Sequence, residues 1–285
     1  MLSTMRTTLL SLFLLYIVSP LWAVPAQVEN NDYKVSLSET LPGIDGPGVL
    51  LSPDAAITAT VTDKFRSQQM AYPLKAYAIP AYFLLGDNLN LVARTTLATN
   101  ASPRYDFIQL NLSSPSDSHQ FQNLKQYSLS PDQQNLLLVA DKGPGAPWIG
   151  ISPLAESPLN LQWLYAEPAG INLFKAAFTS PVSALVLQEP VGWAADSLSG
   201  AFLFSVGDGS QDAQGKPLLK DYLTGLEQAN GEWKVTVQPV DLSAYHFHAG
   251  AALTDLRCDG RKISLFLTSD NSTNPVEVDF KLNPP

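Results

Sequence analysis

The chain has 285 residues, of which 45% are hydrophobic and 15% are charged, and its formal net charge at pH 7 is −9. This length and hydrophobic content suffice for one sizeable folded domain or two small ones. Because the charge is acidic and scattered, the composition argues against a protein that binds nucleic acid or an anionic membrane surface.

The N-terminal residues have the pattern of a secretory signal peptide. Arg6 provides a positive n-region, residues 9–18 form an apolar h-region, and Ala23 fits a cleavage site. An uncleaved membrane anchor is the alternative, although the apolar run is shorter than the ~20 residues that span a bilayer. We therefore predict a signal peptide at residues 1–23, a single domain at residues 24–285, and a periplasmic or secreted location.

Two stretches of the mature chain share one pattern of a turn followed by a strand. They are LSPDAAITATVTDK at residues 51–64 and LSPDQQNLLLVADK at residues 129–142. Proline fixes its own φ angle, and the aspartate accepts hydrogen bonds from nearby amides, so Ser-Pro-Asp predicts a turn. The first copy then alternates apolar residues with threonine over residues 57–62, which predicts a strand with one buried face. The second has a continuous apolar run at residues 136–140, which predicts burial on both faces.

Other stretches share this order of a turn and an alternating strand without sharing the letters. The clearest are residues 196–209 and 258–271, and weaker versions occupy residues 86–95 and 230–237. Their spacing of roughly 30 to 60 residues is typical of propellers and other repeat arrays. The chain is therefore predicted to be all-β and built from repeats.

The Leu-Ser-Pro-Asp stretches resemble the PD40-type β-propeller repeat, which occurs in TolB-like periplasmic propellers. Ala55 and Gln133 stand where that repeat usually has glycine after Ser-Pro-Asp. The resemblance implies a β-propeller-like array of short antiparallel blades, in which a terminal strand often completes the first blade. An irregular β-sandwich or barrel is the alternative fold.

Two stretches are compatible with either a helix or a strand. In residues 171–178 the apolar positions would share one helical face, yet a Ser-Pro pair follows at hairpin distance. Residues 216–229 also have helical spacing, but Gly225 weakens a helix and the Asn230-Gly231 pair is a strong hairpin signal. We predict a hairpin for the second stretch.

His246 and His248 are a candidate pair of metal ligands. Residues two apart on a strand share a face, which is the geometry that such a pair needs. Asp241 or Asp255 is available as a third ligand. Histidines with no metal role, on the surface or in a loop, are the alternative, and no metal ligand is assigned.

The stretch DGSQDAQG at residues 208–215 spaces its oxygen-bearing side chains as some calcium loops do. Those side chains belong to Asp208, Ser210, Asp212 and Gln214. However, Ala213 occupies the place where an EF-hand loop needs glycine. A polar turn is the alternative interpretation.

The tryptophans and the cysteine complete the set of candidate functional residues. Aromatic side chains on loops can stack on sugar rings or anchor a protein partner, although in β-rich repeats they more often cap the core. Trp148, beside a Gly-Pro turn, is the best surface candidate; the others are Trp163, Trp193 and Trp233.

Cys258 is the single cysteine, so there is no internal disulfide. An idle thiol is expected because no partnering base is evident.

The sequence contains no Gly-x-Ser-x-Gly elbow, and it assigns no catalytic, cofactor or metal residue. We therefore predict a secreted or periplasmic β-propeller-like binding or scaffolding protein, whose partner is a protein or an envelope or extracellular glycan. No nucleic-acid partner is expected, and no membrane partner after signal cleavage. The alternative is a propeller hydrolase or lyase with an acidic or metal-assisted site at the central channel, so whether the protein is an enzyme stays open. A purely structural envelope protein is a third possibility.

Overall fold

The computed structural model describes most of the chain after the predicted signal peptide. The described residues are 27–39, 56–96, 103–140, 148–155, 159–166, 169–174, 184–211, 215, 217–248, 251–269 and 274–282. The predicted signal peptide and the first Ser-Pro-Asp turn lie outside these residues.

The described residues form four antiparallel sheets. Within each sheet, strands that are consecutive in sequence are paired. The first sheet contains β1 (Gln27–Glu29), β2 (Tyr33–Glu39), β3 (Ala56–Asp63) and β4 (Gln68–Lys75). The third contains β13 (Ala184–Trp193), β14 (Ser199–Gln211), β15 (Pro217–Ala229) and β16 (Glu232–Val240). The fourth contains β17 (Ala251–Asp259), β18 (Lys262–Ser269) and β19 (Val276–Lys281).

The second sheet has eight strands and consists of two four-stranded meanders joined edge to edge. Its first half contains β5 (Ala78–Leu85), β6 (Asn88–Arg94), β7 (Tyr105–Asn111) and β8 (His119–Leu129). Its second half contains β9 (Asn135–Ala140), β10 (Trp148–Pro153), β11 (Gln162–Ala166) and β12 (Ile171–Asn172). The halves are continuous because β8 pairs with β9 across the second Ser-Pro-Asp turn.

Four buried cores connect these units in sequence order. The first core lies between the first sheet and β5–β7, and the second lies between the two halves of the second sheet. The third core joins β9–β11 to the third sheet, and the fourth joins the third sheet to the fourth. This serial packing of antiparallel meanders confirms the predicted all-β, propeller-like array, and it disfavours the sandwich and barrel alternatives.

Strands inside the array are buried on both faces because each has a core on either side. In β14, Phe202 and Phe204 belong to the third core, whereas the intervening Leu203 belongs to the fourth. Burial of each large apolar side chain contributes about 1.5–3 kcal/mol to stability. The continuous apolar run of β9 has the same cause, as its uninterrupted pattern predicts.

The two ends of the array are not joined in the described part of the chain. There, β1 pairs only with β2, and β19 pairs only with β18. None of the four cores contains residues of both the first and the fourth sheet. The closure by a terminal strand that the family resemblance implies is therefore not observed among these residues.

The predicted hairpin after residue 216 is confirmed. β15 and β16 pair from Asp221 to Ala229, and the turn residues Asn230 and Gly231 have φ angles of 57° and 82°. Positive φ at both central positions defines the turn type that matches the twist of paired strands.

Of the other ambiguous stretch, residues 171 and 172 form a short strand and Phe174 is buried in the third core. Within the described residues, no helix is long and apolar enough to cross a membrane.

The second Ser-Pro-Asp turn is held by its own side chains. The Ser130 hydroxyl donates to Asp132 Oδ1 at 2.6 Å and accepts the amide of Asn135 at 2.9 Å. The amide of Gln134 donates to the same carboxylate oxygen at 3.0 Å. Partial burial acts to raise the pKa of Asp132, but these hydrogen bonds outweigh it and lower the pKa below its ordinary value.

This turn also connects two blades. The amide of Asp132 donates to the Ser197 hydroxyl at 3.3 Å, and the Asn135 side chain donates to the Ser197 carbonyl at 3.2 Å. Ser197 belongs to the turn that precedes β14 and is 1% exposed. The most recognisable sequence element of the chain therefore serves as a cross-blade contact.

Replacing Gln133 with glycine is expected to stabilise the protein. Gln133 has a φ of 59°, a conformation that costs a side-chain-bearing residue about 1 kcal/mol or more and that glycine adopts without this cost. We expect Gln133→Gly to raise the free energy of unfolding by up to about 1 kcal/mol in urea titrations. The matched control Gln134→Gly is expected to lower the free energy of unfolding. At that position, glycine only increases the conformational entropy of the unfolded chain. A lower stability for Gln133→Gly would contradict the account of this turn.

Gly192 marks a close approach between the third and fourth sheets, and replacing it with alanine is expected to destabilise their packing. A Cβ at position 192 would lie 2.5 Å from the Leu256 carbonyl oxygen on β17. We expect Gly192→Ala to lower the free energy of unfolding by about 1–3 kcal/mol, the usual cost of overpacking. Val186→Ala, on the same strand at a position that is 44% exposed, is the control and is expected to change it by less than about 0.5 kcal/mol.

Candidate functional site

A cavity of about 300 Å³ lies between the second and third sheets, and we call it the interblade cleft. It is lined by residues of β8, β9 and β13: Gln126, Tyr127, Ser128, Leu137, Val139, Leu187, Glu189, Pro190 and Val191. The leucine, valine and proline side chains make part of the lining apolar, and Gln126, Tyr127, Ser128 and Glu189 contribute polar groups. This volume is at the lower end of the range for sites that bind small molecules.

Two irregularities in strand pairing create the cleft. On β13 the register shifts between Gln188 and Gly192, so that Glu189 and Pro190 leave the ladder with β14. Across the cleft, the pairing of β8 with β9 shifts between Leu124 and Gln126. Bulges redirect side chains and interrupt pairing, and here both shifts adjoin the same cavity.

Two hydrogen bonds hold the walls of the cleft at a fixed separation. The side-chain amide of Gln126 donates to the Leu187 carbonyl at 3.1 Å. The indole of Trp193 donates to the Ser128 hydroxyl at 2.9 Å. Both bonds run from β8 to β13, so the cleft is braced across the junction of the second and third sheets.

Tyr127 and Glu189 are the groups that are available to a ligand. In the part of the chain that the structure describes, neither the Tyr127 hydroxyl nor the Glu189 carboxylate has a hydrogen-bond partner. Burial, followed by the neighbouring Tyr105 and the negative charge of Glu189, raises the pKa of Tyr127 to about 12. Its hydroxyl is therefore a protonated donor at neutral pH, and the negative charge of Glu189 acts on it.

The Tyr127 ring is fixed by its aromatic neighbour. It packs edge-to-face with Tyr105 on β7, with ring centroids 5.1 Å apart. Such pairs contribute about 0.5–1.5 kcal/mol beyond area burial, so the position of the ring is restrained before a ligand arrives.

The expectation that His246 and His248 share a strand face is wrong. Both lie in a turn after a short 3-10 segment, with φ angles of 58° and 64°. His246 lines a separate cavity with Tyr245, whereas His248 Nε2 lies 2.8 Å from Asp221 Oδ1. Neither candidate third ligand joins them, because Asp241 binds Ser243 and Asp255 binds Arg257. No group of three His, Cys, Asp or Glu side chains suited to a metal occurs among the described residues.

Sequence reasoning missed a polar cluster around His248, which we call the Ser205 cluster: Gln188, Ser205, Asp221 and His248. The Ser205 hydroxyl donates to Asp221 Oδ1 at 2.6 Å, lies 3.3 Å from His248 Nε2 and accepts the Gln188 side-chain amide at 3.0 Å. Its members lie on three neighbouring strands and the loop before β17. The one available signal was a serine at a position of β14 whose neighbours are all apolar.

The predicted calcium loop lies partly outside the described residues. Ser210 lies near the end of β14, and residues 212–214 are not described. It therefore stays a prediction.

The four tryptophans after the predicted signal peptide pack against buried cores, as the core-capping alternative predicts. Trp148 and Trp163 meet edge-to-face at 5.0 Å against the second core. Trp193 and Trp233 do so at 6.0 Å in the third core. Trp148 is partly exposed, but its ring packs against Trp163.

Comparison with known proteins leaves the family open. No protein-family model matches the chain, and no curated protein matches it in sequence. Among solved structures, one from a study of two prolyl endopeptidases has 12% identity and a TM-score of 0.40, and the match covers 88% of this chain and 31% of that one.

Two further structures match at a similar level. The β-propeller domain of the trilobed protease from Pyrococcus furiosus has 8% identity and a TM-score of 0.32, with 92% of this chain and 84% of that chain covered. TolB from Acinetobacter baumannii has 13% identity and a TM-score of 0.25, with 79% and 60% covered. The chain spans less than a third of the prolyl endopeptidase, and at these TM-scores the likenesses carry no argument about function. The fold assignment rests on strand order and packing.

Cys258 is expected to react slowly with alkylating agents. Burial, followed by the charges of Asp196 and Asp259, raises the pKa of its thiol from 9.0 to about 11 despite a hydrogen bond with Ser199. Because only the thiolate reacts, we expect iodoacetamide at pH 8 to modify the folded protein about 100-fold more slowly than the urea-unfolded chain. The rate for the folded protein is expected to keep rising up to about pH 11. Equal rates for folded and unfolded protein would contradict this assignment.

Proposed function

We propose that the protein is a propeller-like binding protein that takes a glycan in the interblade cleft. The observation that carries this proposal is that an unengaged carboxylate, Glu189, and an unengaged tyrosine hydroxyl, Tyr127, belong to the lining of one cleft that also has apolar side chains. Sugars present hydroxyl groups at their edges and apolar C–H groups on their faces, so they match both parts of the cleft.

The geometry favours binding of a chain end or a single sugar ring. A cavity of about 300 Å³ is too small for a folded partner, and the braced walls limit adjustment. The Ser128 hydroxyl, whose oxygen accepts from Trp193, still has a proton to donate. The β8 side of the cleft therefore provides hydrogen-bond donors, and the β13 side provides the Glu189 carboxylate as an acceptor.

The setting that we propose is the periplasm or the extracellular space, and the partner is an envelope or extracellular glycan. The predicted signal peptide and the Ser-Pro-Asp resemblance to PD40-type, TolB-like propellers support this setting. We also propose that the two Ser-Pro-Asp units are diverged members of that repeat class. In the second unit, a glutamine tolerates the backbone conformation that glycine usually supplies.

Removing either free polar group is expected to weaken glycan binding. We expect Tyr127→Phe and Glu189→Gln each to raise the dissociation constant about 10- to 100-fold, the effect of one hydrogen bond that involves a charged group. A glycan array identifies the ligand, and calorimetry with that glycan measures the affinities. Glu277→Gln, on the exposed edge strand β19, is the control and is expected to leave the affinity unchanged.

Two outcomes would contradict the proposal. One is an array on which no glycan binds the wild-type protein. The other is a bound glycan whose affinity the two cleft variants leave unchanged, because the ligand site would then lie elsewhere on the protein.

A further inference from the structure

The backbone around His248 adopts an unusual conformation that its surroundings hold in place. His246 and His248 are both in the left-handed region, where a residue with a side chain is held at a cost of about 1–3 kcal/mol. Between them, Phe247 is 7% exposed and packs in the fourth core. The amide of Ala251 donates to the His246 carbonyl at 3.1 Å, so the turn is fixed on both sides. Conformations of this kind concentrate at functional sites.

The turn places the His248 imidazole on a nearly buried carboxylate. Its Nε2 lies 2.8 Å from Asp221 Oδ1, and the Asp221 side chain is 9% exposed. The same carboxylate oxygen accepts the hydroxyl of Ser205, which is fully buried. The Gln188 amide donates to that hydroxyl oxygen and so fixes the direction of its proton.

These hydrogen bonds determine which imidazole nitrogen carries the proton. An ionised carboxylate only accepts, so His248 Nε2 carries the hydrogen that bonds to Asp221. In the neutral imidazole, Nδ1 then has a free lone pair. The His248 side chain is 32% exposed, and Nδ1 has no hydrogen-bond partner in the described part of the chain. The result is an oriented base beside solvent.

Ser205 is not a nucleophile in this arrangement, although serine, histidine and aspartate lie together. Its side chain is fully buried, and its proton is directed to Asp221 and not to the imidazole. Serine catalysis also needs the histidine to contact the serine and the aspartate through different nitrogens, whereas here Nε2 faces both. A nucleophile activated by His248 must therefore come from solvent.

We propose that His248 is a general base that activates water for the hydrolysis of small esters, an activity beyond the proposed glycan binding. Nδ1 takes a proton from water as the water oxygen bonds to the ester carbonyl carbon, and the carbonyl π electrons move to the carbonyl oxygen. When the intermediate collapses, the bond to the alcohol oxygen breaks and the imidazolium returns the proton to that oxygen. The net reaction converts ester and water to carboxylic acid and alcohol. Asp221 is a positioning residue that holds the imidazole tautomer.

The test uses the whole mature protein and p-nitrophenyl acetate as the probe. His248→Gln retains an N–H donor for Asp221 but lacks the basic nitrogen, so it is expected to lose about 100-fold or more of the hydrolysis rate. Asp221→Asn is expected to cost at least tenfold, because an amide that donates to Nε2 reverses the tautomer. His246→Gln, two residues away in the same conformation, is the control and is expected to retain the wild-type rate.

Two readouts distinguish this role from a structural one. The wild-type rate is expected to fall about two- to threefold in heavy water, because proton transfer from water accompanies attack. Heteronuclear NMR of the neutral imidazole is expected to show hydrogen on Nε2 and a free Nδ1. Equal rates for His248→Gln and wild type, or hydrogen on Nδ1 in the wild type, would overturn the proposal. If His248→Gln fails to fold, the tautomer and the isotope effect still decide it, independently of glycan binding.

Discussion

The structure depends on the burial of its middle strands on two faces. β9 and β14 each contribute alternate side chains to two different cores, so neither strand reaches its stable environment until a neighbouring unit packs on each side. A single four-stranded meander would expose one of these faces to water, at about 25 cal/mol per Å² of apolar surface. The stability of each unit therefore depends on its neighbours in sequence, which is the property of a repeat array.

Specific polar contacts set how the units are joined. The second Ser-Pro-Asp turn connects β8 to β9 and binds the turn that contains Ser197 in the next sheet. A few residues before each of these turns, the register shifts of β8 and β13 adjoin the interblade cleft. The cleft thus occurs where two sheets are held together but their ladders are interrupted, which leaves Glu189 outside its ladder without disturbing the cores.

Much of the strand pattern could be predicted from sequence because it depends on local chemistry. The alternation in β3, the continuous apolar run in β9 and the hairpin at Asn230-Gly231 each follow from short-range spacing and turn residues. The edge pairing of β8 with β9 was not evident, because nothing local distinguishes a turn within a sheet from one between separate blades.

The candidate sites were less accessible to sequence reasoning because they depend on distant partners. Ser205 and Asp221 are 16 residues apart, and Asp221 and His248 are 27 residues apart. The spacing of His246 and His248 predicted a shared face only if both were on a strand, and the left-handed turn separates them. In the cleft, a two-residue shift in register places Glu189 outside the ladder, and no sequence motif predicts that shift.

Hydrogen exchange resolved by residue tests whether packing on both faces orders the array. We expect the amides of β9 and β14 to exchange among the slowest in the protein, together as cooperative units, whereas those of the edge strand β19 exchange much faster. Exchange from β9 and β14 that is as fast as from β19 would contradict the account, because the middle strands would then gain nothing from their two neighbours.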